Sequence, residues 1–148
     1  MPHIENSIII QESPEKVFAI TNDIDRWPVL FDEYSGARVV RREAEGRFTK
    51  LIFQLSNAEG RSWQSWRLLD HKELVAIAER EEPLFPFLYM HLKWSYAPVT
   101  GGTKMTWMQN FELDPAFQTP VEIAIENMQI HTQQNQKHIK RLIEAGEA

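Results

Sequence analysis

The order of signals along these 148 residues predicts an α+β fold, a curved seven-stranded antiparallel sheet around one long C-terminal helix. Three observations carry that expectation. Beyond Gly36 the chain alternates apolar and polar residues with period two, in runs separated by turn residues, as in an antiparallel meander. Residues 119–146 instead hold one unbroken helical pattern. Ahead of the meander there is room only for one strand and two short helices.

The first strand is residues 3–11, with the run Ile8-Ile9-Ile10. Ser13-Pro14-Glu15 then signals a helix start: an N-cap hydroxyl, a proline where no amide donor is needed, and an acid in the first turn. The helix covers residues 14–21 and breaks at Asn22-Asp23. Residues 24–31, interrupted by Trp27-Pro28, form a second short helix or turn, followed by Tyr34 and Ser35-Gly36. Strands are expected at 37–43, 47–55, 60–69, 73–81, 87–97 and 103–113, with turns at Asn57–Gly60 and Pro98–Gly102. Leu88, Met90, Leu92, Trp94 and Tyr96 share one face of the fifth of these. Met105, Trp107, Gln109, Phe111 and Leu113 share one face of the last, Gln109 being its polar exception. Thr119-Pro120-Val121-Glu122 reads as a capping box with proline at the first helical position, and the helix runs to about Ala145, with Gly146 beyond it. Its apolar stripe is Val121, Ile125, Met128, Thr132, Asn135, Ile139 and Leu142. Thr132 and Asn135 are polar within it. A buried asparagine there either bonds a backbone carbonyl or a water, or faces a ligand cavity.

Composition sets bounds. The length suits a single domain, residues 1–148, with a substantial core. The chain has no cysteine, which removes disulfides, thiolate metal sites and cysteine nucleophiles. Net charge is −5 and the pI about 5.5, against a nucleic-acid footprint. No run approaches the ~18 apolar residues of a membrane span, and the N-terminus shows no basic segment followed by an apolar run, so a cytoplasmic protein is expected. The five histidines show no paired metal-ligand spacing; His131 and His138, one heptad apart, read as solvated or second-layer. There is no GxGxxG, P-loop or GxSxG, so nucleotide binding and triad hydrolysis lack support, and no cofactor is expected. Five tryptophans and eight phenylalanines are many for this length. They fill a core or line a pocket for flat ligands.

The most informative stretch is Trp63-Gln64-Ser65-Trp66-Arg67. In a strand, Trp63, Ser65 and Arg67 share a face. Two readings are open: Trp66 and Leu68 face the core with Arg67 in solvent, or Arg67 faces inward. An inward arginine is costly unless something oxygen-rich meets its five donors. That second reading implies a pocket for an apolar molecule bearing carbonyl or enolate oxygens.

The ordered set of motifs Glu5-Asn6-Ser7-Ile8, Thr21-Asn22-Asp23-Ile24, Trp27-Pro28, Leu30-Phe31, Glu33-Tyr34, Trp63-x-Ser65-x-Arg67, Tyr89-Met90-x-Leu92-x-Trp94-x-Tyr96 and Gly101-Gly102-Thr103-x-Met105-x-Trp107-x-Gln109-x-Phe111, closing with Asn135-x-x-x-Ile139-Lys140, resembles the single-domain aromatase/cyclases of bacterial type II polyketide synthases, of the tetracenomycin and spore-pigment type. The resemblance spans nearly the whole chain. It implies the helix-grip (Bet v 1/START-like) fold. It also implies a reaction: a poly-β-ketone on an acyl carrier protein is folded in a cavity, closed by an intramolecular aldol step and dehydrated to an aromatic ring. It implies that Arg67, Tyr34 and Ser65 are catalytic and that Trp27, Trp63, Trp94, Gln109 and Asn135 bind substrate. Its implied partners are the carrier protein and other synthase components. A helix position that is histidine in some relatives falls on Asn127, so a histidine base at that place is not expected.

The chemistry of the residues agrees with this resemblance. A methylene between two carbonyls is already acidic, so no strong base is required. Arg67 suits stabilisation of the enolate oxygen. The Tyr34 hydroxyl can protonate the new alkoxide. Ser65 can orient a water or a carbonyl, and the tryptophans can stack on the forming ring. Beside this stands a different reading, a non-catalytic carrier of an apolar small molecule on the same fold, and a third, a subunit that only steadies a synthase complex. An acidic carrier protein would dock on Arg38, Arg41, Arg42 and Arg47, or on Lys137, Lys140 and Arg141.

Overall fold

The computed structural model describes residues 2–148. Its elements follow the expected order: β1 (His3–Ile10), α1 (Pro14–Thr21), a 3-10 turn (Ile24–Arg26), α2 (Trp27–Leu30), β2 (Gly36–Glu45), β3 (Phe48–Ser56), β4 (Ser62–Asp70), β5 (Val75–Arg80), β6 (Phe87–Val99), β7 (Gly102–Leu113) and α3 (Val121–Glu144). All seven strands form one antiparallel sheet in the order β1-β7-β6-β5-β4-β3-β2. The chain thus enters at one edge, crosses by α1 and α2 to the other, and returns strand by strand.

Local chemistry explains the joins. The Ser13 hydroxyl accepts from the Lys16 amide, capping α1. Asn22 ends it, its amide N–H donating to the Phe18 carbonyl. At the β6–β7 turn Gly101 and Gly102 take positive φ of 88° and 153°, and a Cβ on Gly102 would collide with the Ile10 carbonyl. β1 is a sheet edge, and α3 covers it: Gln136 Nε2 donates to the Asn6 carbonyl at 3.1 Å and Lys140 Nζ to the Ile9 carbonyl at 2.7 Å. Unpaired strand carbonyls are thereby satisfied.

Three expectations are corrected. α3 begins at Val121 with Pro120 at the N-cap, φ −55° and ψ 142°, so Thr119 lies one residue too early to cap it and no side-chain cap forms. Its inward face keeps Ile125, Met128, Thr132, Asn135, Ile139 and Leu142 and adds Ala124, Gln136 and Ile143, whereas Val121 is exposed. In β6 the register slips between Phe87 and Tyr89, so Leu88 is turned outward and Phe87 packs inward, its ring 5.7 Å from Phe111.

The sheet's concave face and α3 enclose two clusters of apolar side chains. The larger gathers Val17, Phe18, Trp27, Leu30, Phe31, Leu51, Phe53, Trp94, Trp107 and Ile139; the smaller is Ile4, Met90 and Phe111. Between sheet and helix a cavity remains. The register shows why. β5 contributes Ala76 and Ala78 to the concave face, opposite Leu69 and Arg67 on β4 and Trp94 and Leu92 on β6. Two methyl groups between large neighbours leave a hollow.

Candidate functional site

The cavity measures about 290 Å³. All eight residues singled out in the sequence line it: Trp27, Tyr34, Trp63, Ser65, Arg67, Trp94, Gln109 and Asn135. Of the two readings of β4, the inward one is correct. Ser65 and Arg67 are buried, alternating with the less buried Gln64, Trp66 and Leu68.

Arg67 is 1% exposed and is the largest fully buried side chain. Its guanidinium carbon lies 4.0 Å from the Trp94 ring centroid and 5.3 Å from that of Trp27. These are cation–π distances. Nε donates to Asn22 Oδ1 at 2.7 Å. Nη1 and Nη2 are buried without a partner, and so is the indole Nε1 of Trp107, another lining residue. Among the described residues no carboxylate forms an ion pair with Arg67. Burial pushes its pKa down from 12.5 to about 10, against the opposing influence of the Tyr96 and Tyr34 oxygens.

An aromatic wall holds this charge. Trp94 and Trp107, paired across β6 and β7, stack at 4.1 Å and 8°. Trp27 stacks on Tyr34 at 5.7 Å and on Trp94 at 5.9 Å. The Trp27 indole donates to the Thr21 carbonyl, which anchors the short α2 to the end of α1. Tyr34 is partly buried. Burial first, then the charge of Glu33, pushes its pKa well above the usual value, so its hydroxyl stays protonated.

The polar residues of α3 meet the sheet and the segment after α2. Thr132 Oγ1 donates to Gln109 Oε1 at 3.1 Å, so the two polar exceptions satisfy one another. Asn135 Nδ2 donates to Glu33 Oε1 at 3.3 Å, and His131 Nε2 lies 3.1 Å from Glu33 Oε2. Both Glu33 and His131 line the cavity. The hydrogen bond to Glu33 is the main cause of a raised His131 pKa, reduced in part by burial.

Among the lining residues not assigned from the sequence, four bear on the chemistry. His131, half exposed at 49%, borders the cavity and pairs with Glu33. Its signal was its place one helical turn before Asn135, on the same face. Asn127 is exposed, so the histidine available to the cavity stands at 131. Glu33 adjoins Tyr34. Arg80 follows Ala76 and Ala78 with period two, pairs with Ser65 across the strands, and lies 4.7 Å over the Trp63 ring. Trp107 shares the inward face of the last strand with Gln109, and its indole N–H is one of the unpaired donors.

The two basic clusters are exposed and largely engaged. Arg41 pairs with Glu43, Arg47 with Asp70 at 2.8 Å, and Lys140 with Glu144 at 2.6 Å. Among the described residues no group of three or more His, Asp or Glu could hold a metal, and no helix is long and apolar enough to cross a membrane.

This geometry has known relatives. A Streptomyces cyaneus protein named "Putative polyketide cyclase" is 39% identical over 123 residues, 82% of this chain and 79% of its own length. The granaticin polyketide synthase bifunctional cyclase/dehydratase of Streptomyces violaceoruber is 28% identical over 127 residues, 82% of this chain and 39% of that protein. In structure, the Zhui aromatase/cyclase from Streptomyces sp. R1128 superposes with a TM-score of 0.74 at 14% identity, covering 99% of this chain and 93% of that one. The START superfamily protein from Mycobacterium smegmatis gives 0.68 at 15%, covering 97% and 94%. These distant likenesses establish the fold as Bet v 1/START-like. The family described as polyketide cyclase / dehydrase and lipid transport matches residues 1–144. With that match and the curated relative at 39% identity, the chain belongs to the polyketide cyclase / dehydrase and lipid transport family.

Proposed function

We propose that the protein is a polyketide aromatase/cyclase that directs aldol cyclisation and dehydration of a carrier-bound poly-β-ketone. One observation carries this reading. Three buried donors around one cavity, Arg67 Nη1, Arg67 Nη2 and Trp107 Nε1, have no acceptor from the protein. Leaving such groups unpaired is costly. A guest that fits must be flat enough for the tryptophan walls and must present several acceptor oxygens. An uncharged lipid offers too few; a chain of alternating carbonyls offers them in series.

The chemistry then follows. A methylene proton between two carbonyls passes to the His131 imidazole, which Glu33 makes a better proton acceptor. The enolate oxygen sits at the Arg67 Nη groups, whose charge is undiminished by any carboxylate. The enolate carbon attacks a distal carbonyl carbon, forming the ring C–C bond. The resulting alkoxide takes the Tyr34 proton, and Tyr34 regains one from the imidazolium. A second proton loss next to the new hydroxyl, again to the imidazole, expels hydroxide, which takes that proton back and leaves as water, and enolisation of the remaining ring carbonyls gives the aromatic ring. Ser65, Gln109 and Asn135 orient the remaining carbonyls. Trp27, Trp63 and Trp94 hold one conformer of a flexible chain, itself a large contribution to rate.

The test is product analysis with a minimal synthase and its carrier protein, using wild type, Arg67→Ala and no cyclase. Wild type shifts products to one ring pattern, and Arg67→Ala returns them to those of spontaneous closure. Wild-type products from Arg67→Ala refute the assignment. Tight binding of polyketide mimics with no change of product under any condition means the protein is a carrier. Charge reversal at Arg42 or Lys137 that slows only the tethered substrate supports docking of the carrier protein there; equal rates on tethered and free substrates remove it.

A further inference from the structure

We propose that Asn22 is the positioning residue for Arg67, and that its being an amide rather than a carboxylate keeps the guanidinium's charge available to the ligand. The inference rests on the oxyanion-binding role of Arg67 and extends it to a residue that does not line the cavity.

Every hydrogen in the supporting chain has only one direction. The arginine can only donate, so Asn22 must accept Nε through Oδ1, at 2.7 Å. Its Nδ2 therefore faces the other way, donating to the Phe18 carbonyl at 2.9 Å and to the Tyr96 hydroxyl oxygen at 3.1 Å. The Thr21 hydroxyl donates to the Val17 carbonyl at 2.8 Å, so Thr21 Oγ1 accepts from Tyr96, 2.6 Å away. The chain runs from the guanidinium to the carbonyls at the C-terminal end of α1. Asn22, Thr21 and Tyr96 are all buried, at 6%, 0% and 4% exposure, so no water competes. A buried amide with every hydrogen bond made is held rigidly. It fixes Nε, and through the planar guanidinium it aims Nη1 and Nη2 at the cavity.

An aspartate would have the same shape and could accept the same Nε–H. It would also place a negative charge 2.7 Å from the guanidinium, and the pair would then bind an anionic oxygen poorly. The acid of this turn, Asp23, is exposed to solvent, while at the buried position 22 the amide leaves the cation's charge undiminished.

The test uses Asn22→Asp, Asn22→Ala, Tyr96→Phe and Arg67→Gln in the full chain, with two readouts. One is kcat and KM for cyclisation. The other is independent of that reaction: visible absorbance of bound 4-nitro-1-naphthol at one fixed pH, which gives the ratio of naphtholate to naphthol in the pocket. Wild type raises that ratio at least tenfold over Arg67→Gln. Asn22→Asp loses the gain and at least tenfold in kcat, with KM moved less, while its melting temperature equals or exceeds wild type. Asn22→Ala keeps part of the ionisation and loses kcat through a loosened guanidinium, and Tyr96→Phe does so more weakly. A merely structural Asn22 would lower melting temperature and kcat together in both Asn22 variants. That result, or wild-type ionisation and kcat in Asn22→Asp, overturns the inference alone. Equal naphtholate ratios in wild type and Arg67→Gln overturn both it and the oxyanion role of Arg67.

Discussion

Replacing Arg67 by methionine is expected to make the protein more stable and inactive. The fall of the Arg67 pKa from 12.5 to about 10, caused first by burial, corresponds to about 3 kcal/mol against the charged form inside the fold. A base whose pKa is lowered on folding weakens the fold wherever it is charged. The penalty is therefore complete below about pH 10 and fades as pH rises from there towards 12.5. Methionine fills comparable space and keeps favourable contact with Trp27 and Trp94. The substitution orphans Asn22 Oδ1, which costs roughly 1–2 kcal/mol. The net gain is about 1–2 kcal/mol, or a melting temperature higher by roughly 3–6 °C for a chain of this size. Loss of the oxyanion donor should lower the cyclisation rate by about 10²–10³. Thermal unfolding followed by circular dichroism at pH 7, alongside product formation, checks both. A variant that loses 2 kcal/mol or more would show that Arg67 holds the fold together, and the reasoning from its unpaired nitrogens would fail.

Other expectations follow from the same geometry. Tyr34→Phe removes the proton donor and should slow dehydration by roughly 10²-fold with little change in binding; because burial and Glu33 raise the Tyr34 pKa, the wild-type rate should show no tyrosine ionisation up to pH 10, and an alkaline limb that disappears in the variant would contradict this. In Glu33→Gln the His131 pKa should fall towards 6.5, read by NMR titration of the imidazole. The raised value in the wild type means that the Glu33–His131 pair adds stability below about pH 6.5, an increment lost as pH rises through the folded pKa, so the variant's deficit should shrink at higher pH. An unchanged titration would remove Glu33 as its partner. Ala78→Leu, filling the floor of the hollow beside Arg67, should abolish binding of polyketide mimics at a stability loss of about 1–3 kcal/mol, measured by calorimetry and denaturation; undiminished binding would place the ligand elsewhere.

The fold was legible because its periods are clean. α1 lies where it was expected, at about residues 14–21, since serine, proline and Asn22 mark its ends chemically. The strands fell within a few residues, because one face of the sheet is buried and alternation reports it. What misled was what alternation cannot see. A slip of one residue at Phe87 turned Leu88 out, and an extended Pro120 moved the start of α3 past its apparent cap. The site was legible where a residue breaks its element's pattern: Arg67 on a buried face, Gln109 and Asn135 among apolar neighbours. Glu33, His131 and Arg80 break no pattern. Each is ordinary for its own segment, and only the return of α3 over the concave face brings two of them within 3.1 Å.

The features that defy the usual rules of burial gather in one place. A charged guanidinium lies buried without a counter-ion, a tryptophan N–H lacks an acceptor, and the polar Thr132 and Asn135 stand on the inward face of α3. All border the cavity between β4–β7 and α3. A protein selected only for stability would replace them with apolar side chains, and buried ionic groups are often dispensable in that sense. Here the alanines of β5 hold the space open, the tryptophans exclude water, and Asn22 steadies the cation without neutralising it. The open hollow and the unpaired donors raise the energy of the empty protein. On the proposed function, that cost is recovered when an oxygen-rich, flat, developing anion occupies the cavity, and the difference between empty and occupied states is what would lower the barrier to cyclisation.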